Sequence, residues 1–83
     1  MALDILYFAW VREAVGIGQE RVEPPAGVAT VDDLVSWLAA REGFEVLTDR
    51  AKLRAAVDQQ FVPFDAPIAG ASEVAIFPPV TGG

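Results

Sequence analysis

The chain of 83 residues contains no cysteine and no histidine. Disulfide staples, thiolate or imidazole metal sites, Cys or Ser–His nucleophile systems and a histidine pH switch are therefore excluded. Basic residues are scarce, six against twelve acids, for a net charge of −6. That balance disfavours phosphate backbones and anionic membrane surfaces, so neither nucleic acid nor membrane is an expected partner. The carboxylates follow no calcium-loop spacing, and no metal site is expected. There is no P-loop either, so any nucleotide chemistry has to be performed by another protein. Residues 1–4 lack a basic leader and nowhere do eighteen apolar residues follow one another, which makes the cytoplasm the expected location. The only lysine, Lys52, falls in a loop-like stretch and is expected to be exposed.

What the chain does have is apolar material, 53% of its residues, enough for one compact core and no more at this length. Leu3 to Trp10 reads as a strand near the sheet centre, greasy on both faces, followed by a helical turn over Val11–Val15 in which Arg12 and Glu13 read as solvated, with a partner contact as the alternative. Gly16 and Gly18 end that turn, and 19–23 extends as a second strand in a wide antiparallel hairpin with the first. Thr30 is a good N-cap, Asp32 and Asp33 favour a helix N-terminus, and Gly43 suits the far end, which predicts a helix over Val31–Glu42. Its stripe is Val31, Leu34, Val35 and Leu38, with Glu42 next in register and Trp37 at the edge of the core. A loop with a helical turn spans 44–52. Strands follow at 53–57, at Phe61-Val62 after an Asp58-Gln-Gln60 turn, and at 73–77. The order β-β-α-β-β-β with one main helix gives an α+β domain, a sheet of four to five strands packed on that helix.

After Phe77 come Pro78, Pro79, Val80, Thr81, Gly82 and Gly83. Two prolines remove two backbone donors and bias the segment to extended conformations, and two glycines strip side chains from its tip. Residues 1–77 are thus the expected domain and 78–83 an extended tail. Six extended residues reach roughly 20 Å, enough to place a carboxylate in a narrow pocket of another molecule.

Leu6-Tyr-Phe-Ala9 with Val11-Arg-Glu13, Ala56-Val-Asp-Gln59, Asp65-Ala-Pro-Ile68, Glu73-Val-Ala-Ile-Phe77 and the Pro-Pro-Val-Thr-Gly-Gly ending occur in order along nearly the whole chain. Together they resemble the small, MoaD-like sulfur-carrier subunits of molybdopterin synthase. The resemblance implies a ubiquitin-like β-grasp fold and a chain that is not an enzyme on its own. It also implies a C-terminal glycine, here Gly83, that is adenylated by an ATP-dependent E1-like activating enzyme and converted to a thiocarboxylate by a sulfur-donating enzyme. The large catalytic subunit would take up residues 78–83 as the inserted tail, and Leu6, Phe8 and Phe77 would form an apolar contact beside it. A two-plus-two assembly with that subunit is implied, and no cofactor is bound by the small chain itself. One departure is Asp58, where the family commonly has Asn; both residues tolerate such a turn. A ubiquitin-like protein modifier would use the same activated end, and the tail does not separate that reading. A thiazole-type sulfur carrier shares the fold and ending, but the Phe77-Pro-Pro-Val-Thr81 segment favours the molybdopterin branch.

Overall fold

The computed structural model describes residues 2–79, in which two helices and five strands alternate as β1 (Leu3–Tyr7), α1 (Ala9–Val15), β2 (Gln19–Val22), α2 (Val31–Ala39), β3 (Arg54–Val57), β4 (Gln60–Val62) and β5 (Glu73–Phe77). Two short 3-10 turns, Glu45–Thr48 and Arg50–Lys52, fill the stretch between α2 and β3. The sheet order is β2-β1-β5-β3-β4, antiparallel throughout except for the central β1–β5 pair, which is parallel.

Side chains on alternate strand positions face opposite sides. Leu3, Ile5 and Tyr7 of β1, Val74 and Ile76 of β5 and Ala55 of β3 join one core with Val31, Leu34, Val35 and Leu38 of α2. That stripe is the one the 3.6-residue period predicts. The α2 N-terminus is closed reciprocally: Asp33 N–H donates to Thr30 Oγ1 at 3.1 Å, and Thr30 N–H donates to Asp33 Oδ2 at 3.2 Å. Trp37 packs at the core edge as expected.

Two elements end earlier than their apolar content predicts. The first strand stops at Tyr7 instead of Trp10, because Phe8 is already the N-cap of α1. The helix then drops Val11, fully buried, into the core, and Gly16 closes it with a left-handed φ of 88° and an N–H donated to Arg12 O at 2.9 Å. Helix α2 stops at Ala39, three residues short of Glu42, and Glu42 is exposed and not part of the core stripe. The chain there tightens into three-residue bonds, Arg41 N–H to Leu38 O at 3.2 Å and Phe44 N–H to Arg41 O at 3.1 Å. This tightening swings Arg41 and Phe44 back toward Tyr7 and β2.

Between these elements lies a polar cluster on the core side of β2. The Tyr7 hydroxyl donates to Glu20 Oε2 at 2.7 Å, and Arg41 donates to both Glu20 oxygens, at 2.9 and 2.5 Å. The Arg41 guanidinium stacks 4.0 Å above the Phe44 ring, whose edge meets Tyr7 at 6.0 Å between centroids. The two Arg41 bonds are the main reason the Glu20 carboxyl lies below the usual carboxylate range. Burial first, and Glu20 second, push the Tyr7 hydroxyl well above its ordinary value.

Candidate functional site

The other face of the sheet has no helix over it. Register places Leu6 beside Ala75, Ala75 beside Ala56, and Ala56 beside Phe61, one cross-strand row that runs from β1 to β4. The next row toward the tail holds Phe77 opposite Arg54, with Phe8 beyond the end of β1. Leu6, Phe8, Ala56, Phe61, Ala75 and Phe77 line a shallow groove of about 370 Å³, bounded at its other end by Gln59 and Glu73. The small alanines in the middle make the depression, and the aromatics at its margins make the walls.

The three residues expected at a partner contact, Leu6, Phe8 and Phe77, therefore share one surface. Phe8 is 47% exposed at the strand-to-helix joint, where its N–H is anchored to Ile76 O at 3.2 Å. The next residue, Ala9, has a left-handed φ of 53°, a conformation unfavourable by about 1–2 kcal/mol for a residue with a Cβ. It lets the chain leave the strand at once and keeps Phe8 on the open face. The sequence reading missed Phe61. This ring is 77% exposed and packs on Phe77 at 5.4 Å between centroids. The expected turn over residues 58–60 is one residue too long, since Gln60 already pairs with Val57 in β4; the two-residue turn fixes the register that sets Phe61 opposite Ala56, on the same face as Ala75 and Leu6.

That turn is built by Asp58 and Gln59, both at positive φ, 48° and 71°. The Asp58 carboxylate accepts from Ser72 N–H at 2.9 Å and Glu73 N–H at 3.0 Å, and its own N–H donates to Glu73 O at 3.0 Å. The residue where the sequence departs from the resembled pattern thus ties the β3–β4 hairpin to the start of β5. Oδ1 is the acceptor in both side-chain bonds, an atom that Asn also possesses.

Strand β5 lies between β1 and β3 and delivers the chain into Pro78 and Pro79, both half-buried. Val80, Thr81, Gly82 and Gly83, expected as the rest of the tail and the reactive end, lie outside the described residues. On the side of Pro79 away from the groove, Trp10, Val46 and the exposed Lys52 line a second hollow; Lys52 has only a loose pairing with Asp49, at 3.9 Å. Among the described residues no group of acids is arranged to hold a metal ion, and no helix is long and apolar enough to cross a membrane.

The solved structure of SAMP1 from Haloferax volcanii superposes with a TM-score of 0.75 at 25% identity over 100% of both chains. The fold is the ubiquitin-like β-grasp. In sequence, the molybdopterin synthase sulfur carrier subunit of Escherichia coli K12 is 43% identical over 82 residues, 98% of this chain and 99% of the relative. The subunit of the same name from Haemophilus influenzae is 32% identical over 82 residues, again 98% of this chain and 99% of the relative. The model of the ThiS family matches residues 5–83, both the open sheet face and the Gly-Gly segment, and the chain belongs to that family.

Proposed function

We propose that this chain is the sulfur carrier subunit of a molybdopterin synthase, with Gly83 as the carrier group. The observation that supports it best is the 43% identity to the Escherichia coli subunit over almost all of both chains. The open apolar face around Leu6, Phe8, Phe61 and Phe77, next to the strand that leads into the tail, suits a carrier that must be gripped by larger proteins.

The chemistry starts from a poor electrophile. A free carboxylate has no good leaving group, so a Gly83 carboxylate oxygen attacks the α-phosphorus of ATP on an activating enzyme, releasing pyrophosphate and leaving a mixed anhydride. A persulfide on a donor enzyme then attacks the glycyl carbonyl and AMP departs; a thiol cleaves the resulting acyl disulfide, forming a disulfide with the donor and leaving the thiocarboxylate on Gly83. On the large catalytic subunit the terminal sulfur bonds to a carbon of a cyclic pyranopterin monophosphate precursor, displacing an oxygen substituent of that carbon and leaving Gly83 joined to it as a thioester. Water then hydrolyses the thioester, so that the sulfur stays on the pterin and Gly83 returns to the carboxylate, and a second loaded chain completes the dithiolene. The contribution of this chain is positional: β5 fixes the root, Pro78 and Pro79 stiffen the exit, and Gly82 and Gly83 are narrow enough for an enzyme cleft. The chain supplies no catalytic group and binds no cofactor of its own; ATP belongs to the activating enzyme.

Intact-protein mass spectrometry after incubation with ATP, activating enzyme and sulfur source tests this directly. The expected result is exchange of one oxygen for sulfur, absent from a chain lacking Gly83, and loss of precursor conversion in Gly82→Val with folding retained. No mass change with a demonstrably active enzyme, or full activity of Gly82→Val, would overturn it. A conjugate ladder on other proteins in place of the thiocarboxylate would favour a protein modifier.

A further inference from the structure

Three of the six basic side chains are held in close ion pairs, Arg21 with Asp4, Arg41 with Glu20 and Arg50 with Asp32, and a fourth, Lys52, lies loosely 3.9 Å from Asp49. Arg12 and Arg54 are the two with no ion-pair partner among the described residues. Both sit at the tail end of the open face, one on each flank. Arg54 lies opposite Phe77 in register and lines the edge hollow with Phe61 and Val62. Its Nη1 donates to Leu53 O at 2.7 Å, and the residue is exposed. Arg12 lies across Phe8, in a hollow with Leu6, Ile17 and Gly18. Its guanidinium packs so closely over Gly18 that a Cβ there would come within 3.1 Å of Nε. The opposite end of the groove is acidic, with Glu73 beside Asp4 across β5 and β1.

In a chain with twice as many acids as bases, Arg12 and Arg54 are left without a carboxylate partner among the described residues, and both flank the point where β5 ends. We propose that the mouth of the tail-binding pocket on the large synthase subunit carries carboxylates on both sides of an apolar contact. Arg12 and Arg54 meet these carboxylates when Phe8, Phe61 and Phe77 are covered. This rests on the sulfur-carrier reading and adds the chemistry of the partner's rim. A narrow extended tail entering a cleft does not by itself fix rotation about its own axis. Two charges on opposite flanks do, because a rotated encounter would set each cation against the wrong surface and Glu73 against a carboxylate. The apolar centre supplies adhesion; the arginines supply orientation.

The test is the affinity of the full chain for the large subunit from the same source, measured at about 50 and about 300 mM salt, across which exposed charges become progressively screened. Arg12→Gln and Arg54→Gln are each expected to weaken binding about threefold at low salt, the double variant about tenfold, and Arg54→Glu more than Arg54→Gln. These losses shrink at the higher salt, while thermal melts stay within a degree or two of wild type, as expected for surface changes outside any ion pair. A double variant that binds within about twofold of wild type, or a loss that salt does not reduce, would overturn the inference. If wild type binds, and loses binding on removal of Gly82 and Gly83, yet ignores the arginine changes, only this inference falls. A wild-type chain that does not bind the large subunit at all would remove the sulfur-carrier reading as well.

Discussion

Replacing Glu20 by alanine takes away the acceptor of a buried hydroxyl. Tyr7 is 1% exposed, and its hydroxyl donates to Glu20 at 2.7 Å. An orphaned buried hydroxyl costs about 1–3 kcal/mol. The Arg41 side chain is 39% exposed, so it rehydrates when its partner goes, and the lost ion pair adds only about 0.5 kcal/mol after screening. The expected total is about 2–3 kcal/mol, a large part of the stability of a domain this small. Urea denaturation of wild type, Glu20→Ala, Tyr7→Phe and the double variant isolates the cause. Tyr7→Phe alone should cost about 1 kcal/mol, but in the Glu20→Ala background it removes the orphan and should be neutral or stabilising, a coupling of about 1–2 kcal/mol. Acid adds a second reading. Because Glu20 titrates below its ordinary value when folded, its contribution is complete above the unfolded glutamate pKa of about 4.3 and is lost as pH falls through the folded one. The wild-type and Glu20→Ala stabilities should therefore converge at low pH. A Glu20→Ala loss under about 0.5 kcal/mol, or an equal cost of Tyr7→Phe in both backgrounds, would refute the reasoning.

Tyr7 is also the single tyrosine, so phenolate absorbance reports on it alone. With its folded pKa raised, stability is present below the unfolded value of about 10 and declines above it, and phenolate should appear only together with unfolding; titration of the folded chain near pH 10 would contradict this. Asp58→Asn keeps the acceptor toward Ser72 and Glu73 and tolerates the positive φ, so it should change stability by less than about 0.5 kcal/mol, whereas Asp58→Ala should lose about 2 kcal/mol in the same urea assay. Thr30→Ala removes the N-cap acceptor of α2 and should cost about 1 kcal/mol, measured by thermal melting with circular dichroism. Phe61→Ser should leave the melt nearly unchanged, because the ring is exposed, yet weaken binding to the large subunit by at least about tenfold if that ring is a contact anchor.

The parts of the fold governed by local chemistry were legible from residues alone. Thr30 with Asp33 announces the start of α2, and the spacing of Val31, Leu34, Val35 and Leu38 marks its buried stripe. The end of α2 was not legible, because what stops it at Ala39 is tertiary: Arg41 reaches a carboxylate on β2 and Phe44 reaches Tyr7, neither close in sequence. The same holds for β1, whose apolar run continues through Trp10 although the backbone turns at Phe8. At the candidate site, Leu6, Phe8 and Phe77 came from family resemblance, and the structure groups them. Phe61 required strand register, which depends on knowing that Asp58 and Gln59 form the whole turn. Arg12 was open to a partner contact from the sequence, but Arg54 and the placing of the two about the tail exit had no local signal, since that arises only when β1 and β3 are laid on either side of β5.

The placement of β5 has a mechanical consequence. The strand that leads into the tail is hydrogen-bonded on both sides, parallel to β1 and antiparallel to β3. A pull on the tail is directed along that strand, so it loads both ladders in shear, and their bonds must yield together instead of peeling one at a time from an edge. Force applied beyond Phe77 is thus shared across the sheet, and the domain acts as a stiff anchor for whatever pulls on it.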